Sequence, residues 1–316
     1  MLSLALPAIL LMAGAERTFD LQGRVRPAGR ASVALHGATS PFSASTLADA
    51  EGRFRFRKIE SAAYTVAVFM PGRGEARRTI EVGPSLADSK GRITLTLDLT
   101  FSEETLRRRN LVSVKELSVP DSARREYSSA QEKLGRRDVA GAVVHLERAV
   151  QIAPQFASAW NNLGTIAYQS RDFRLAESRF RKALDQEPEA YEPLVNLGGT
   201  LLSLEQLDEA LKFNLYAVLT RPNDALANSQ LGMNYFYLSD LDRGLKYLTA
   251  AKKLDPAHFS HPQLLLAEIH VRRRDPAAAA RELEDFLKHH PDWPQAGAVR
   301  KGIEKLRALA QPVAHP

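Results

Sequence analysis

Five prolines, Pro154, Pro188, Pro222, Pro256 and Pro291, stand 34, 34, 34 and 35 positions apart in this 316-residue chain. Each closes a stretch that reads as two amphipathic helices in succession. An interval of this length holds one helix pair, and a lone pair cannot bury its apolar face. The cadence therefore predicts helix pairs stacked into a solenoid whose core is shared between neighbours. Five units run over 123–156, 157–190, 191–224, 225–258 and 260–293, the last after a one-residue insertion.

The second unit is the clearest copy, with Trp160, Leu163, Gly164 and Tyr168 followed by Ala176, Phe180, Ala183 and Pro188. The third carries Leu197, Gly198, Ala210 and Ala217, the fourth Leu231, Gly232, Tyr235 and Ala251, and the fifth Leu266, Ala267 and Ala279. The first is degenerate and keeps Ala130, Asp138, Ala142 and Ala149. Gly164, Gly198 and Gly232 allow the first helix of a repeat to approach its partner, where Ala176, Ala210 and Ala279 leave room. This pattern resembles the tetratricopeptide repeat (TPR), over 123–293. The resemblance implies an all-α superhelix whose first helices line a concave groove, and a scaffold that binds a protein or an extended peptide.

Pro120-Asp121-Ser122 provides a helix start, because Asp or Ser accepts bonds from the free N–H groups of a first turn. Beyond Pro294, Val299, Ile303, Leu306 and Ala310 recur at helical intervals among charged residues, so 294–316 reads as a capping helix and tail, with Trp293 as a staple.

Before the repeats the period changes to two. Phe19, Leu21, Gly23 and Val25 alternate, as do Val33 with Leu35, Phe54 with Phe56, Tyr64 with Val66 and Val68, and Ile93 with Leu95, Leu97 and Leu99. Turn residues at Pro27–Gly29, Asp49–Gly52, Pro71–Gly74 and Gly83-Pro84 divide 16–100 into about seven short strands of a small antiparallel β-sandwich. The stretch Asp49 to Phe56, continued by Ile59, Tyr64, Val66 and Val68, resembles the carboxypeptidase regulatory-like domain, which shares its fold with starch-binding modules. Ala63 stands where that family usually has a glycine. The resemblance implies an accessory domain without peptidase activity. Residues 101–122 show neither period and read as a linker.

Leu2 to Met12 is almost wholly apolar, and Ala13-Gly14-Ala15 is the small-residue pattern that signal peptidases accept, so 1–15 reads as a signal peptide cleaved before Glu16. Export to the periplasm or medium follows. The run is too short to span a bilayer, and no spanning run follows. The chain has no cysteine, which excludes disulfides, thiolate zinc sites and iron–sulfur clusters. Its net charge of +6 is spread thinly, and 121–293 holds 22 basic against 24 acidic residues, which argues against a nucleic-acid surface. Arg107–Arg109 and Arg272–Arg274 read as solvated faces.

No His-Glu-x-x-His, Walker loop, Gly-x-Ser-x-Gly or dinucleotide fingerprint occurs, so neither enzymatic activity nor a cofactor is expected. His258 with His261, and His289-His290 with Asp292, read as polar loop and cap residues at repeat boundaries rather than as a metal site. The groove is more informative. Asn162, Asn196 and Gln230 each precede a Leu-Gly pair, which predicts a row of carboxamides suited to the backbone of an extended peptide. Asn161, Thr165, Tyr127, Tyr168, Met233, Phe236 and Tyr237 would add contacts. The row resembles the asparagine ladder of O-linked N-acetylglucosamine transferases, although no glycosyltransferase domain fits in the remaining residues. It lacks the basic residues of the carboxylate clamp found in chaperone-binding TPR domains. The rival reading is carbohydrate binding by the sandwich, which requires two or more of Phe42, Phe54, Phe56, Tyr64 and Phe69 exposed on one face.

Overall fold

The computed structural model describes residues 17–99 and 118–310. The expected signal peptide and most of the expected linker lie outside the described residues.

Seven strands build the first domain: β1 (Thr18–Arg26), β2 (Ala31–Gly37), β3 (Ser43–Ala48), β4 (Arg53–Glu60), β5 (Ala62–Met70), β6 (Gly74–Val82) and β7 (Arg92–Asp98). They form two sheets, in the orders β4-β1-β7 and β3-β2-β5-β6. Pairing is antiparallel except between β1 and β7, which run parallel from Asp20 opposite Arg92 to Arg26 opposite Asp98. A parallel pair needs a long crossover, and here the whole intervening domain supplies it. The period-two apolar residues meet between the sheets: Phe19, Leu21, Val33, Leu35, Phe54, Phe56, Tyr64, Val66, Val68, Ile93 and Leu97 are all buried. Gly23 breaks the apolar alternation of β1 because the Phe54 ring lies across it, where an added Cβ would come within 2.4 Å of Cζ.

Eleven helices follow among the described residues. The repeats pair α1 (Asp121–Gly135) with α2 (Val139–Ile152), α3 (Ala157–Gln169) with α4 (Phe173–Gln186), and α5 (Tyr191–Ser203) with α6 (Leu207–Thr220). They continue with α7 (Ala225–Tyr237) and α8 (Leu241–Leu254), then α9 (Pro262–Arg272) and α10 (Pro276–His289), before the terminal α11 (Ala296–Ala310). The turn inside each repeat uses one device. Arg137, Arg171, Glu205, Ser239 and Arg274 adopt left-handed backbone, with φ of 59°, 64°, 59°, 64° and 59°. In four of the five the next residue is an aspartate that caps the second helix: Asp138, Asp172, Asp240 and Asp275 each accept the N–H three residues on. Gln206 holds that place in the third repeat without a side-chain cap bond.

The small residues meet where two helices touch. A Cβ on Gly232 would lie 2.8 Å from the Leu248 backbone nitrogen, so α7 and α8 pack closer than any side chain permits. Ala176, Ala210 and Ala279 are fully buried on the facing helices. Ile303 seats α11 on the last repeat with Val299 and Leu306 beside it, whereas Ala310 is exposed and the buried stripe stops short of it. First helices of successive repeats touch one another more than second helices do, so the first helices line the inner side of the curve.

Candidate functional site

The inner face differs from an open row of carboxamides. Asn162 Nδ2 donates to the Tyr127 hydroxyl at 3.1 Å, and Asn196 Nδ2 donates to Asn161 Oδ1 at 3.1 Å. Each bond joins one repeat to the one before it, and these side chains are half-buried. Gln230 does not face solvent as the spacing predicts: it is buried. The reason is Gly199 on the preceding repeat, whose missing side chain leaves a recess that Gln230 Nε2 fills, 2.3 Å from where a Cβ would stand. Phe236 is also buried rather than presented to a ligand. It packs with Leu248, Leu266 and Ile269, under the Arg272 guanidinium at 4.4 Å. Thr165 donates to its own helix at Asn161 O, and Met233 is half-buried against the core of the second and third repeats. Tyr168 and Tyr237 remain open, at 37% and 52% exposure. Tyr168 lies 3.4 Å from Ser203 Oγ of the next repeat.

The chain's own sandwich bonds to all five repeats, at their helix ends and connecting loops. At the turn ends of the first two, Arg137 pairs with Glu60 at 2.8 Å and donates to the Tyr64 hydroxyl at 3.0 Å, and Gln169 Nε2 donates to Gly37 O at 3.0 Å. At the opposite helix ends of the other three, β6 provides the contacts. Arg77 forks onto both Glu192 oxygens at 2.9 Å, Arg78 donates to Leu254 O, and the Thr79 N–H donates to Asp255 Oδ2 at 2.8 Å. Ser85, beyond β6, gives its N–H and hydroxyl to Asp292. The sandwich thus bonds to both edges of the array, one at the first two repeats and the other at the last three. Burial opposes ionisation of Glu192, but Arg77 and Arg221 together hold its carboxyl below the usual range. Burial raises the Asp255 carboxyl against the pull of its Thr79 bond and Arg78. None of these contacts has a periodic signal. The one local sign is in β6, where Thr79 and Ile80 are buried in succession, so the strand is covered on both faces.

The histidines at repeat boundaries do occupy caps and loops, but they are not solvated. His261, in left-handed backbone before α9, and His290, after α10, turn toward Glu81 of β6. One donor atom from each of the three residues lies within 4.8 Å of the others, and His290 Nδ1 is 2.9 Å from Glu81 Oε1. His290 Nε2 is buried without a hydrogen-bond partner. Phe286 and Trp293 close the site, their rings 5.4 Å and 4.9 Å from that of His261. Burial, helped by the neighbouring His290, pushes His258 and His261 down to about 3. His289 instead bonds Asp285 O on its own helix.

Residues 163–225 match the family model of the tetratricopeptide repeat. The chain is 27% identical over 119 residues to the BBSome complex member BBS4 homolog of Drosophila melanogaster, covering 38% of this chain and 24% of that protein. It is 26% identical over 113 residues to the cell division cycle protein 16 homolog of Homo sapiens, covering 33% of this chain and 18% of that one. Less than a quarter of either relative is therefore spanned. The crystal structure of PilW, a widely conserved type IV pilus biogenesis factor, is similar with a TM-score of 0.50 at 18% identity, over 61% of this chain and 93% of that one. The helical array is a TPR-like solenoid.

Proposed function

We propose that the chain is a non-enzymatic scaffold that holds an extended segment of a protein partner on the open part of the inner face. The carrying observation is the pair Tyr168 and Tyr237, which stay exposed at the turn ends of α3 and α7 while Gln230 and Phe236 between them are buried. Ser203 lies exposed between them on α5, and Asn161, Asn162, Asn196, Thr165, Met233 and Tyr127 form the half-buried floor. A tyrosine offers an apolar ring and a hydroxyl together, which suits a peptide whose backbone needs partners and whose side chains need cover. The sandwich serves as an accessory domain of the carboxypeptidase regulatory-like kind. The chain is exported, as the apolar Leu2 to Met12 run and Ala13-Gly14-Ala15 suggest, and among the described residues no helix is long and apolar enough to cross a membrane. For carbohydrate binding, the aromatic platform is missing: Phe42, Phe54, Phe56 and Tyr64 are buried and Phe69 is half-buried.

The test uses a partner captured from the exported fraction with the full chain as bait. Replacing Tyr168 and Tyr237 together by alanine should weaken its binding about tenfold or more, because exposed aromatic anchors carry much of an interface's affinity, while the melting temperature stays where it was. Unchanged affinity would remove the tyrosines from the site. The mature protein from an exporting host should begin at Glu16 or within a few residues of it, and an intact Met1 on a retained protein would refute export.

A further inference from the structure

Glu81, His261 and His290 come from two domains, with Glu81 and His290 separated by 209 positions in the chain. Ordinary packing accounts for part of this cluster. A hydrogen bond from His290 Nδ1 to Glu81 satisfies one nitrogen, and aromatic contacts hold the rings in place. It does not account for His290 Nε2, which is buried and has no partner. A buried imidazole nitrogen without a partner is costly unless something occupies its lone pair.

We propose that Glu81, His261 and His290 bind one divalent transition-metal cation of the zinc class, and that this ion ties β6 to the last repeat. Two imidazoles and one carboxylate are a known type of zinc donor set, and bonds of about 2.0–2.2 Å in a tetrahedron place donors roughly 3.3–3.6 Å apart. One donor atom from each residue lies within 4.8 Å of the others, a set somewhat wider than that value. Small side-chain rotations of the three residues bring their donors onto one centre. Imidazole nitrogens favour zinc, copper, nickel or iron over magnesium and calcium, which prefer oxygen. Phe286 and Trp293 wall one side and exclude water, which strengthens the attraction between ion and carboxylate. Three protein ligands leave a fourth position for water. The ligands lie on a strand and at two helix termini, so binding the ion also fixes the sandwich against the fifth repeat.

The experiment titrates Zn2+ into the full chain, free of any affinity tag and stripped with chelator, followed by calorimetry and thermal unfolding. The parent should take up one ion per chain and melt at a higher temperature when loaded. H261N keeps a residue at ease in left-handed backbone, and E81Q keeps the hydrogen bond with His290 while losing the anionic ligand, so neither variant depends on a damaged fold. Each should bind about tenfold or more weakly, and each should lose most of the zinc-dependent rise in melting temperature. Cobalt should give visible absorption bands in the parent and not in H261N. The proposal is overturned if the parent takes up no stoichiometric ion, if both variants bind zinc as tightly as the parent, or if calcium displaces zinc at equal concentration.

Discussion

Inside the array the contacts are copies. Gly164 lies under Phe180 in one repeat, Gly232 lies against Leu248 two repeats on, and capping aspartates recur at the start of four of the five second helices. Along the seam with the sandwich no contact repeats: Arg137, Gln169, Glu192, Asp255 and Asp292 each bond a different group on the strands or loops opposite. The two regions stabilise the molecule differently. A solenoid gains from nearest neighbours only, so its ends are free to move relative to each other. The seam joins repeats that never touch, because one domain bonds to all five. Apolar burial dominates inside the array, whereas polar groups at helix ends dominate the seam.

The largest effect should come from the array. Phe180→Ala removes a fully buried ring packed over Gly164 and should cost about 3–5 kcal/mol, read from chemical denaturation. A cost under about 1 kcal/mol would place Phe180 outside the shared core. Next is the seam. Asp255→Ala leaves the buried Thr79 N–H without its acceptor and should cost about 1–3 kcal/mol, with protease cleavage between the domains becoming faster. If it unfolds the array as completely as Phe180→Ala does, sandwich and solenoid form one cooperative unit.

Acid should also destabilise the fold. His258 stays neutral down to about 3 in the folded chain, against roughly 6.5 unfolded. The unfolded chain therefore binds more protons between these values, and stability is complete above the upper one and declines as the pH falls. One such histidine contributes a loss of about 2 kcal/mol between pH 7 and pH 5, measurable as a lower urea midpoint in metal-stripped protein. Asp255, whose carboxyl is raised by burial, acts in the opposite sense toward the acid end. An unchanged midpoint would contradict the burial of the His258 ring.

The smallest effect is a gain. Gln206→Asp gives the third repeat the cap that the others have and should add about 1 kcal/mol. No gain would mean that the turn, and not the cap, sets the stability of that repeat.

The period of the apolar and small residues by itself determined the helix pairs, their stacking and the two-sheet sandwich before them, because each depends on neighbours a fixed distance away in the chain. Gly23 and Phe54 show how far that extends: alternation places both on facing strands, but only the fold shows the ring lying over the glycine. The inner face followed a different rule. Asn162 and Asn196 stand where the repeat pattern puts them, yet their amides bond to Tyr127 and Asn161, while Gln230 fills the recess above Gly199. Whether a polar side chain meets solvent, a neighbour or a ligand depends on what the next repeat leaves empty, and a single repeat does not encode that. The docking of the sandwich, and with it the meeting of Glu81 with His261 and His290, was decided only in the tertiary structure. Hydrogen bonds and ion pairs across such a seam need complementary groups in space, not any spacing along the chain, so they leave no period to read.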